Sequence, residues 1–230
     1  MRSTATNTTE RTNSQAHRAA RAGRLRCALV TKDMSESPAL VIIDLQKAID
    51  DPRWALHGPR NNPQAERNIA ALLSAWRGRG WSIYHVRHHS LEPDSAYRPG
   101  QPGNEFKAEA EPLTGEAVIV KRTNSAFIGT DLEARLRRAG IATLVVCGVI
   151  TNNSVEATVR VAGNLGFETY LVEDACFTFA RPDWEGRIRM AEEVHAMSLS
   201  NLNGEYATVL TTAQVLNWTT PAGGSRASSE

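Results

Sequence analysis

The chain has 230 residues, 41% of them hydrophobic and 22% charged, with a formal net charge of +1. That length supplies one well-buried core, and that composition excludes disorder over most of the chain. Near-balanced charge gives no sign of a nucleic-acid or anionic-membrane footprint, and no apolar run approaches the roughly 20 residues of a membrane helix.

Residues 1–36 stand apart. They are rich in Ser, Thr, Arg and Ala, and hold seven basic and three acidic residues, a net of +4. They lack the apolar core of a secretory signal. The expectation is a disordered or non-native extension, with Met34 an alternative natural start and a basic targeting arm the least favoured reading. From residue 37 short apolar runs alternate with helical periods. Ala39-Leu40-Val41-Ile42-Ile43 reads as a buried parallel strand ending at Asp44. Residues 52–63 hold three prolines and two asparagines and read as a loop. Ile69, Leu72, Leu73 and Trp76 fall at helical spacing, with a stop near Gly78–Gly80.

Residues 81–86 predict a second strand. The stretch 88–116, rich in Pro and Gly, reads as a long loop of the kind that forms lids or binding loops. Residues 117–120 predict a third strand. Thr130 and Glu133 predict a capping box for a helix carrying Leu132 and Leu136 and closed by Gly140. Residues 143–147 predict a fourth strand stopped by Gly148, followed by a helix with Val155, Val159 and Ala162 on one side. A fifth strand is predicted over 167–172, a helix over 184–203, a sixth strand over 206–210 and a last helix from Gln214. Residues 221–230 read as a flexible tail. Strands alternating with helices imply right-handed crossovers and an α/β domain over 37–220, with a mainly parallel sheet covered on both faces.

Ligands of such sheets sit beyond the carboxyl ends of the strands. Three chemically useful residues fall there: Asp44 after the first strand, Lys121 after the third, and Ser154 opening the helix after the fourth. Amide groups free in that helix's first turn favour negative charge, so a nucleophile at Ser154 would have an oxyanion hole beside it. Each residue alone also has a plainer reading, Asp44 as a turn or cap residue and Lys121 as a surface ion-pair partner.

In order and spacing, Asp44-Leu45-Gln46, Lys121 with Ser125-Ala126-Phe127, and Gly148-Val149-x-Thr151-x-x-Ser154-Val155-x-x-Thr158 resemble the three motifs of isochorismatase-like hydrolases. Gly163-Asn164-Leu165-Gly166-Phe167 and Glu173-Asp174-Ala175 extend the resemblance over roughly residues 37–216. It implies a Rossmann-like three-layer sandwich with six strands ordered 3-2-1-4-5-6. It also implies an Asp44 base, a Lys121 that stabilises charge, and a nucleophile at position 154 that forms an acyl-enzyme with an amide or ureido carbon. A cis peptide between Val149 and Ile150 would aim the Ile150 and Ser154 amides at the oxyanion. The same resemblance implies a homo-oligomer, dimer or tetramer, acting on a small molecule; the expected compartment is the cytoplasm, and no nucleic acid, membrane or cofactor is expected.

The family's cysteine hydrolases carry Cys where this chain has Ser154. A thiol titrates near ~8.5 and falls further beside a cation, whereas a hydroxyl needs a well-placed base during attack. Three readings stay open: a serine acyl-transfer hydrolase, a vinyl-ether hydrolase using Asp44 as general acid, or a non-catalytic binding or assembly protein on the same fold or an engineered serine. Cys27, Cys147 and Cys176 are odd in number and form neither a disulfide framework nor a CxxC knuckle, which fits a reducing compartment. Cys147 and Cys176 read as core residues, Cys176 being the better substitute nucleophile. His85, His88 and His89 lack the Asp-x-His pattern of the family's metal-binding members, so no metal is expected and a substrate-contacting or solvated loop is favoured. His195 reads as a packed helix residue. Gln46, Trp54, His88, Phe127, Ile150 and Phe177 are the expected pocket walls.

Overall fold

The computed structural model describes residues 37–219. The expectations for 1–36, including Cys27 and the alternative start, and for 221–230 lie outside them. Six parallel strands form the sheet: β1 (Ala39–Ile43), β2 (Ile83–His88), β3 (Ala117–Lys121), β4 (Thr143–Val149), β5 (Glu168–Phe177) and, after a small hairpin of β6 (Arg181–Pro182) and β7 (Ile188–Arg189), β8 (Thr208–Leu210). The order is β3-β2-β1-β4-β5-β8, the expected arrangement with β8 as the sixth strand. Helices α1 (Ala65–Arg79), α2 (Leu132–Arg138), α3 (Glu156–Asn164), α4 (Ala191–Leu202) and α5 (Thr212–Thr219) connect and flank them. α1 and α5 pack together, as do α3 and α4. Right-handed crossovers place the first pair on one face of the sheet and the second pair on the other. None of the described helices is long and apolar enough to cross a membrane.

β1 is buried at every position and pairs with β2 on one side and β4 on the other. The chain winds outward from it in both directions, so the crevice between the ends of β1 and β4 is the switch point of the sheet. The register sets Ile43 opposite Gly148. A Cβ at Gly148 would lie 2.2 Å from the Ile43 carbonyl oxygen, and its φ is +121°. Glycine therefore serves close strand approach here and does not stop β4, which continues to Val149.

Four other local expectations are corrected. β2 begins and ends two residues later than predicted. The Thr130–Glu133 capping box does not form. The Thr130 hydroxyl accepts from the Leu132 amide at 3.3 Å but donates to the Ala126 carbonyl, Asp131 is the N-cap, and Glu133 pairs with Arg137. β5 runs ten residues, from Glu168 to Phe177, past the predicted end at Val172. Its register against β4 jumps between Leu171 and Cys176, which lets Asp174 turn out and accept from the amide and hydroxyl of Thr212 at the start of α5, both at 2.7 Å. Finally, residues 184–190 are not helical. The Asp183 carboxylate accepts from the amides of Glu185 and Arg187, which closes a turn and makes the β6–β7 hairpin before α4 begins.

Candidate active site

The end of β1 supplies Asp44. Its φ of +50° is a left-handed conformation that Asp tolerates better than branched residues. The backbone turns sharply there, with the Gln46 amide donating to the Asp44 carbonyl at 2.7 Å. The residue is buried, 4% exposed, at the bottom of the crevice.

Lys121 comes from β3, two strands away, a span of roughly 10 Å. Only a long, flexible side chain crosses that distance. Its ammonium donates to Asp44 Oδ2 at 2.6 Å, to Ser154 Oγ at 3.2 Å and to the Thr123 carbonyl at 3.1 Å, and its side chain has no exposed surface. A lysine is among the residues least often buried without a partner; here all three ammonium protons find acceptors.

Ser154 lies in a turn of π-helix (Thr151–Val155) between β4 and α3, and a cis peptide joins Val149 to Ile150. Wide turns of this kind cluster at functional sites. Neighbours anchor it. Thr158 Oγ1 donates to the Ser154 carbonyl at 2.7 Å and accepts from the Ala126 amide at 3.0 Å, which ties the segment after β3 to the turn. His195 Nδ1 sits 2.8 Å from Thr151 Oγ1, and Ser198 donates to the Thr151 carbonyl. The motif residues Thr151, Thr158 and Ala126 are thus fasteners of the turn.

Burial pushes the Asp44 carboxyl above the usual carboxylate range, with the Lys121 ammonium and the Ser154 hydroxyl opposing the shift. Asp44 Oδ1 is buried without a hydrogen-bond partner among the described residues. Burial, aided by the Lys121 charge, lowers His88 to about 4, so that its ring is neutral at pH 7. His195 is likewise lowered to about 4 by burial.

Asp44 and Ser154 open onto one cavity of about 140 Å3, walled also by Ile49, Trp54, His88, Ser95, Tyr97, Asn124, Val149, Ile150 and Asn153. Of the expected walls, Trp54, His88 and Ile150 are there. Gln46, Phe127 and Phe177 are not. The Gln46 amide is consumed in holding the end of β2 and the long loop, through the His88 backbone and the Asn104 carbonyl. Phe127 stacks on Phe167, and Phe177 packs between Phe179 and the Arg60 guanidinium. Tyr97, Ser95 and Asn124 went unread. All three sit in loops; for Ser95 and Tyr97 only the length of segment 88–116 signalled a role, and Asn124 lies in the turn after β3.

Cys147 and Cys176 are fully buried. Burial pushes both thiols up, which disfavours the thiolate a substitute nucleophile needs. His85 Nε2 lies 2.8 Å from Glu116 Oε2, three residues along β2 from His88. Among the described residues no three His, Cys, Asp or Glu side chains converge as a metal-binding group.

A buried acid, an amine and a hydroxyl at the switch point of a doubly wound sheet define a site suited to acid–base and nucleophilic chemistry. Residues 38–214 match the isochorismatase domain, and the chain belongs to that family. It is 42% identical over 184 residues to the isochorismatase family protein YrdC of Bacillus subtilis, covering 80% of this chain and 97% of YrdC. A crystal structure of an isochorismatase family protein from Chromobacterium violaceum superposes with a TM-score of 0.77 at 61% identity, covering 80% of this chain and 94% of that one. More distant relatives include a streptothricin hydrolase of Streptomyces noursei, 33% identical over 63% of this chain and 51% of its own length. Another is the ureidoacrylate amidohydrolase RutB of Variovorax paradoxus, 28% identical over 60% of this chain and 67% of its own length.

Proposed function

We propose that the protein hydrolyses a C–N bond of a small amide or ureido compound through an acyl-enzyme on Ser154. The observation that carries this reading is the bridging position of Lys121 Nζ, 2.6 Å from Asp44 Oδ2 and 3.2 Å from Ser154 Oγ. The names of the streptothricin hydrolase and the ureidoacrylate amidohydrolase support the class of bond.

In this mechanism Asp44 takes the Ser154 proton on its unpartnered Oδ1 as Oγ attacks the carbonyl carbon. Lys121 offsets the charge that builds between them. The amides of Ile150 and Ser154 receive the oxyanion. Asp44 then returns the proton to the leaving nitrogen as the C–N bond breaks, leaving an ester on Ser154. Water, deprotonated by Asp44, attacks that ester, and cleavage of the C–O bond restores the Ser154 hydroxyl. A carboxylate is a weak base for a hydroxyl. Burial of Asp44 raises its basicity in the needed direction, which partly offsets the loss of a thiol.

The same raised carboxyl favours one second reading, in which a protonated Asp44 acts alone as general acid on a vinyl ether. A panel of amides, ureido compounds and a vinyl ether, followed by ammonia or product release, separates the two. With amide hydrolysis by Ser154, Ser154→Ala loses turnover by at least about 100-fold and Asp44→Asn does the same, while Ser154→Cys keeps or raises it. With Asp44 acting alone, Ser154→Ala is tolerated and Asp44→Asn is not.

A further inference from the structure

The catalytic cavity is small for the reaction assigned to it. About 140 Å3 resembles the space that encloses one benzene ring, whereas small-molecule sites run to ~300–1,000 Å3. Beside it lies a second recess of about 300 Å3, lined by Ala48, Asp51, Arg53, Trp54, Ser95, Ala96 and Tyr97. Trp54, Ser95 and Tyr97 belong to both. The two spaces meet at this rim, and together they come within the ordinary range.

The rim is fixed in place. The Trp54 indole donates to the Ala48 carbonyl at 3.0 Å, stacks on Phe179 and meets the Tyr97 ring edge-on. Tyr97 in turn meets the His88 ring edge-on, and Asn104 Nδ2 donates to its carbonyl at 2.6 Å. The recess offers two aromatic rings and two alanine methyls. Its two charges are already paired with each other, since Arg53 Nη2 lies 2.6 Å from Asp51 Oδ2, and Arg53 Nη1 and Nη2 also donate to the Asp94 carbonyl, both at 3.3 Å. A further charge on a ligand would meet no free counter-charge there.

We infer that the recess walled by Ala48, Arg53, Trp54, Ala96 and Tyr97 is a subsite for an uncharged, apolar tail of the substrate. Its carbonyl would sit over Ser154, and its acyl chain would pass across the Trp54–Tyr97 rim. This rests on the hydrolase reading for the direction of the chain, and its test is chosen so that the two can fail separately. Burying each methylene of such a tail tightens binding by about fourfold.

The test measures dissociation constants of acetamide, butanamide and hexanamide by ligand-observed NMR with the Ser154→Ala variant, which removes turnover from the readout. Affinity is expected to climb with chain length. Adding Ala96→Leu, which fills the recess from the loop, is expected to bring hexanamide down towards acetamide. Equal affinity for all three amides overturns the subsite, and so does an unchanged chain-length series in the Ala96→Leu variant. Chain-length-dependent binding that Ala96→Leu removes, with no ammonia release by the parent protein, leaves the subsite standing and overturns the amidase reading instead.

Discussion

Asp44, Lys121 and Ser154 are worth more together than apart. A buried carboxylate or ammonium alone costs several kcal/mol, and the pair repays this only with good geometry and satisfied hydrogen bonds. Lys121 achieves that with three acceptors. Because burial lifts Asp44 and the ammonium opposes the lift, the base form appears only above the ordinary carboxylate pKa of ~3.9. Activity is therefore expected to rise with pH along an acid limb displaced upward from that value, and Lys121→Met to displace it further. The pH profile of kcat/KM checks both; a limb at or below the ordinary value, or one unmoved by Lys121→Met, contradicts the assignment. These three residues were legible in the sequence because each follows an apolar run that must be a buried strand. Gln46 and Phe127 follow the ends of β1 and β3, and Phe177 ends β5, yet the sequence does not say which way a side chain turns at a strand end. Their hydrogen bonds and ring contacts settle that. Tyr97 and Asn124 depend on loop paths that no periodicity records.

Among the elements, the β1–β4 contact and the π turn carry the site. Gly148→Ala would force a methyl against the Ile43 backbone at a φ of +121°, and the expected cost is at least about 3 kcal/mol in urea unfolding. A loss under about 1 kcal/mol would show that the strands part readily. His195 holds the turn through Thr151, and its folded pKa of about 4 lies below its ordinary 6.5. As pH falls through that window the unfolded chain binds a proton that the folded chain refuses, so stability drops. Melting temperature is expected to fall from pH 6.5 towards pH 4, and His195→Gln to flatten that slope; an unchanged slope removes His195 from the account. Strand and helix order was readable because apolar runs and 3.6-residue periods mark it. The hairpin before α4 was not, because its cause is the Asp183 side chain bonding to nearby amides. The length of β5 was not, because the Asp174 side chain turns out to cap α5 while the strand runs on past it.

For the whole molecule, we propose that two copies self-associate through the hairpin face. Trp184 at the hairpin tip is 92% exposed and Met197 on α4 is 64% exposed. Both border a groove of about 660 Å3. A projection and a recess on one face suit a two-fold contact in which each copy fills the other's groove. Light scattering is expected to give a multiple of 25.2 kDa, reduced by Trp184→Asp; a monomer of the unaltered chain contradicts it.

The switch-point site stands or falls on covalent chemistry at one hydroxyl. Incubation with an activated acyl ester, rapid acid quench and peptide mass spectrometry reads it directly. The expected result is one acyl group on the peptide carrying Ser154, absent from Ser154→Ala and strongly reduced in Asp44→Asn. An unmodified Ser154 peptide under conditions where the protein turns the ester over, or an acyl group that persists on another residue in Ser154→Ala, would contradict it.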